Sequence, residues 1–142
     1  RIAIIFSCAF FMIGLFTGIW KYILATKSPE GETPLYVGIS HRSSFHYSFA
    51  ALLVAILAGS SPYQPLTTLV IVSTLLAFFT VTLIIYIALG ARGDRVGQFS
   101  RPLVFAGRKL PEFVRSIFMV VLIAAETIGF GLLFAGFLIR HL

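Results

Sequence analysis

Residues 65–89 read PLTTLVIVSTLLAFFTVTLIIYIAL, twenty-five positions without one charged side chain. About 20 helical residues cross the roughly 30 Å hydrocarbon layer of a bilayer, so this stretch predicts a transmembrane helix. Working outward, residues 2–24 and 113–139 read the same way, interrupted only by Lys21 in the first and by Arg115 and Glu126 in the last. Residues 45–60 are apolar but short for a crossing, and the helix is expected to extend back through His41. The whole 142-residue chain is 58% hydrophobic, 11% charged and has mean hydropathy +0.99. That balance excludes a soluble domain. It predicts a single all-α domain, a four-helix transmembrane bundle with spans at roughly 2–24, 45–60, 65–89 and 113–139.

The segment Ser61-Pro62-Tyr63-Gln64 is too short for anything but an antiparallel turn, and Pro65 suits the first turn of a helix. The other connections, residues 25–44 and 90–112, are longer and charged. Four crossings put both long loops on one side and both termini on the other. Nine of the eleven Lys and Arg residues lie on the long-loop side, and only Arg1 and Arg140 on the other. The positive-inside rule then places the long loops in the cytoplasm. This clustering also explains the net charge of +6 without a nucleic-acid partner. The chain begins at Arg1, not methionine, so further N-terminal sequence is expected. The first apolar run is too long for the core of a signal peptide.

Small residues recur where helices could approach closely: Gly14 and Gly18 in the first span, and Thr127, Gly131 and Ala135 in the fourth. Hydroxyls in the third span, Thr80 and Thr82 among them, are expected to bond back to their own helix. Cys8 has no cysteine partner and reads as a small packing residue.

Few residues could carry chemistry. There is no nucleophile elbow, P-loop, dinucleotide fingerprint or CxxC pair, which argues against a hydrolase or a kinase. His41 and His46 are five residues apart, about 140° net around a helix, so they point to different faces and do not chelate one metal. Zinc wants three or four protein ligands, whereas haem b needs only one axial histidine. His41 is therefore either such a ligand or an interfacial histidine bonded to water or a lipid headgroup. On composition alone Tyr47 and Tyr86 read as an aromatic belt at the membrane interface. Glu126 sits mid-span, where a charge costs about 2.5–3.5 kcal/mol, so it is expected to be neutral or bonded to a hydroxyl of the third span.

The order of four features resembles the styrene oxide isomerase family: Ser28-Pro29-Glu30-Gly31 after the first span, His41 opening the second, Tyr86 near the end of the third, and the register of Arg95 and Phe99 beyond it. The resemblance implies a small four-helix membrane protein of the bacterial inner membrane, binding haem b with His41 as the axial ligand. Tyr86 is then the pocket residue, and Tyr47 a second donor where the family carries an asparagine. Thr82 replaces another family asparagine, and five extra residues separate Gly31 from His41. The implied reaction is isomerisation of an apolar epoxide to an aldehyde, with ferric haem as Lewis acid. The implied partners are the lipid bilayer, an apolar small molecule and further copies of the chain, a trimer by resemblance. Two other readings stay open: a non-catalytic accessory subunit of a larger membrane complex, and a haem electron carrier using His46 as second ligand.

Overall fold

The computed structural model describes residues 1–93, 104–105, 108–109 and 111–142. Arg95 and Phe99 lie outside the described residues. The chain forms four long helices, α1 (Ile2–Lys27), α2 (Leu35–Gly59), α3 (Pro65–Ala91) and α4 (Glu112–His141). Between α3 and α4, β1 (Val104–Phe105) and β2 (Arg108–Lys109) form a two-residue antiparallel ladder. The helices alternate in direction, so both termini sit at one end and both long connections at the other.

Local chemistry sets the ends. Helix α1 stops at Ser28, which is extended at φ −87°, ψ 130°, the conformation that a following proline imposes. Gly31 then takes φ +69°, a left-handed turn position open mainly to glycine. Pro65 opens α3 as expected. In the turn before it, the Ser61 hydroxyl accepts the Tyr63 N–H at 3.2 Å and lies 3.0 Å from the Thr68 hydroxyl. Tyr63 donates to the Leu132 carbonyl at 3.1 Å and so ties this turn to α4.

Helices α1, α3 and the part of α4 from Ser116 onward are long and apolar enough to cross a membrane. Helix α2 is the exception in composition and the centre in position. It starts ten residues before the predicted span, at Leu35, so the expected extension through His41 is present and the first connection shrinks to residues 28–34. Its 25 residues span about 37 Å. Val37, Ser40, Ser44, Ala51 and Val54 on α2 are fully buried. Helix α1 packs along α2, α3 packs on its other side, and α4 lies mainly against α3; among the described residues α1 and α4 do not touch.

The core is a continuous apolar cluster built on Phe10, Val54, Leu75, Leu76, Phe79, Leu83 and Leu133. The Gly14 and Gly18 pair faces α2, in line with its reading as a close-approach ridge. The ridge expected on α4 is different: Thr127, Gly131 and Ala135 all point away from the bundle. Helix α4 instead packs through Leu122, Gly129, Leu133 and Gly136, with Gly129 on Leu75 and Gly136 on Pro62 and Tyr63. Cys8 also faces outward, so it is not a packing residue within this chain.

Candidate functional site

Two arrangements stand out, on different sides of α2. The first is the setting of His41. Its Nδ1 lies 2.9 Å from the Gly14 carbonyl oxygen of α1. A carbonyl only accepts, so Nδ1 carries the hydrogen, and in the neutral ring Nε2 keeps its lone pair. The ring fits because position 18 has no side chain: a Cβ there would lie 2.8 Å from Cε1 of His41. Phe45, one turn along α2, meets the imidazole edge-on at 5.2 Å and fills the space beside Gly14. The histidine is thus held in one orientation by a backbone acceptor, two glycines and an aromatic ring, and remains half-buried. A backbone carbonyl on one ring nitrogen with the other left free is the support that metal-ligating histidines use. The donor chemistry of His41 therefore fits an axial haem ligand. Among the described residues no three His, Cys, Asp or Glu side chains converge into a metal site of their own. His46 is exposed on another face of α2, consistent with the helical angle that separates it from His41.

The second arrangement is a polar cluster in the apolar interior. Tyr47 lies midway along α2, not at a membrane boundary, and so is not part of an aromatic belt. Its ring stacks on Phe79 of α3 at 4.7 Å and 19°, with Phe10 of α1 at 6.4 Å. Tyr86, near the loop end of α3, sits 6.2 Å from the Tyr36 ring of α2. Tyr47, Tyr86 and Glu126 of α4 are within electrostatic reach of one another. The Tyr47 hydroxyl also approaches Thr82, yet the geometry falls short of a full hydrogen bond and Thr82 Oγ1 stays unpartnered. Oε1 of Glu126 is buried and unpartnered as well. The bond expected from Glu126 to a third-span hydroxyl is therefore absent at Oε1.

Of the residues singled out from sequence, Tyr47, Tyr86 and Glu126 come within electrostatic reach of one another. The fold holds His41 against α1. His41 and Tyr47 are six residues apart, about 120° net around α2, and among the described residues no ring contact or hydrogen bond joins His41 to either tyrosine. Sequence reading missed the connection between the Gly14–Gly18 spacing and His41. The spacing signals a close approach, but not that an imidazole occupies it. Thr82 was noted as standing where the resembled family carries an asparagine, but its hydroxyl was expected to turn back on its own helix, as most hydroxyls in such helices do. Thr80 does so, donating to Leu76 O at 2.7 Å. No family model matches this chain, and neither does any curated protein or solved structure.

Proposed function

We propose that the chain is an integral membrane protein of the bacterial inner membrane, with its long basic loops cytoplasmic. In this reading it binds haem b through Nε2 of His41 and isomerises an apolar epoxide to an aldehyde. The observation that supports the reading most is the Nδ1–H bond of His41 to Gly14 O, which orients the ring and leaves Nε2 as the donor. The chemistry that ferric haem supplies when bound is Lewis acidity toward an epoxide oxygen. The protein's share is positioning and exclusion of water. Phe10, Phe79 and Leu83 give an apolar wall for an aryl group and keep water from a carbon that becomes electron-poor as its C–O bond weakens. Tyr86 and Tyr47 carry hydroxyls suited to donate to the ligand oxygen as charge gathers there. Isomerisation moves no net electrons and consumes no water, so a greasy interior suits it. Among the described residues no ring contact or hydrogen bond joins His41 to either tyrosine, and this reading includes a homo-oligomer in which a second copy completes the site.

Detergent-purified protein should show a Soret band that His41→Ala abolishes while the helical signal persists, and it should elute as an oligomer by light scattering. A folded protein without haem removes the reading. A second reading, an accessory subunit, draws on the outward ridge of Thr127, Gly131 and Ala135 on α4, a surface suited to a foreign helix. Stable co-purification with other membrane chains and no haem would favour it.

A further inference from the structure

Four enclosed hydroxyls in this bundle follow one habit. Thr17 donates to Ile13 O and Gly14 O, Ser40 to Val37 O, Ser44 to Ser40 O and Thr80 to Leu76 O. Each returns to the backbone of its own helix, the cheapest partner in an apolar setting. Thr82 breaks the habit. It is only 7% exposed, and its Oγ1 has no partner. Glu126, midway along α4, leaves Oε1 buried and unpartnered in the same way. The hydroxyl of Tyr47 lies by Thr82, and Tyr47 and Tyr86 both lie within electrostatic reach of Glu126. Buried polar groups in native proteins are nearly always satisfied, so orphaned atoms on adjoining helices beside a buried tyrosine call for a missing partner.

The chemistry of that partner follows from the donors. A charge at mid-span is costly, so Glu126 is a neutral acid with an O–H to give. Thr82 and Tyr47 add two more hydroxyl donors. No group of three His, Cys, Asp or Glu among the described residues would hold a cation. This donor set suits an uncharged, apolar molecule carrying one hydrogen-bond-accepting oxygen. We propose that Glu126, Thr82 and Tyr47 form an oxygen-binding subsite between α2, α3 and α4, in which the Glu126 carboxylic acid donates to the ligand oxygen. This deepens the epoxide reading by giving α4 a binding residue, and it rests on that reading for the ligand class. The site selects for the oxygen, because a hydrocarbon of the same shape leaves all three groups unpaired.

The test compares styrene oxide with ethylbenzene, a near-isostere that lacks the oxygen, by equilibrium binding to detergent-purified full chain. The native protein should prefer the epoxide by about tenfold or more. Glu126→Leu should bring the ratio close to one, while Glu126→Gln, which keeps a donor, should retain most of it. In difference infrared spectra, the carboxylic acid C=O stretch should move to lower wavenumber when styrene oxide is added, and the band should be missing in Glu126→Gln. An undiminished ratio in a folded Glu126→Leu protein overturns the proposal, as does an unmoved carboxyl band. If Glu126→Leu does not fold, the near-isosteric Thr82→Val carries the same comparison. The Soret band separates the two ideas. Native preference without haem ends the haem reading and keeps the subsite; haem present with no oxygen preference does the reverse.

Discussion

At the scale of single residues, His41 and Gly18 act as a pair. The imidazole occupies the place of a missing side chain, with a hypothetical Cβ at position 18 only 2.8 Å from Cε1. Gly18→Ala must therefore push the ring away from Gly14 O or part α1 from α2. Overpacking of this kind costs about 1–3 kcal/mol. The expected outcome is a lower melting temperature in detergent and, in the proposed haem reading, a weaker Soret band. A variant with native melting and full occupancy would show that the ring is not held by this contact. His41 was legible in the sequence as an ionisable residue at the edge of an apolar span. Its acceptor was not, because a backbone carbonyl on another helix carries no side-chain signature. Tyr47 was misplaced as a boundary residue for a related reason: the start of α2 is hidden by polar residues that the bundle, not the lipid, surrounds.

At the scale of the element, α2 is the least membrane-like helix and the most enclosed. Its serines at 40, 44 and 48 recur every fourth residue and are all buried. They leave room for neighbouring helices, and two of them satisfy their hydroxyls on α2 itself. Ser48 lies 3.5 Å from Ser7 of α1, a distance at the limit of a hydrogen bond, so this contact is mainly one of size. Replacing a ridge serine with a large apolar residue raises the hydropathy of α2 yet should destabilise the protein. For Ser44→Leu the expected loss is about 1–3 kcal/mol, read from thermal unfolding in detergent, whereas Ser44→Ala should change little. A Ser44→Leu protein that melts at or above the native temperature would mean that the ridge is not a packing surface. The apolar runs of α1, α3 and α4 were readable because each faces lipid on much of its surface. Helix α2 was only half readable, since its burial against protein removes the need for a continuous apolar run.

At the scale of the molecule, the antiparallel order puts residues 28–34 and the α3–α4 connection at one end, and the turn at residues 60–64 at the other. The described basic residues follow this order: Lys21, Lys27, Arg42, Arg92, Arg108, Lys109 and Arg115 lie toward the first end, and Arg1 and Arg140 toward the second. In a Cys8→Ser background, Ser28→Cys is expected to be shielded from a membrane-impermeant maleimide added to intact cells, and Ser61→Cys to be labelled. The opposite pattern would invert the orientation proposed from charge. Helix number and antiparallel order were legible because span length and turn length fix them. The outward position of the small-residue ridge on α4 was not, because a stripe of glycine and alanine has the same sequence signature whether it meets a helix or a lipid chain.

Among the described residues α1 and α4 do not touch, and this has a consequence for how the chain is made. Nearly all of the packing joins helices that follow one another in sequence, with α2 against α4 as the main exception. Such a topology has low contact order and pays little loop-closure entropy. Each hairpin can close as its second helix leaves the ribosome and enters the bilayer, and no early helix has to wait for a distant partner. Helix α4 then meets a three-helix surface that is already formed, so the oxygen-binding corner between α2, α3 and α4 comes together only once α4 has been made.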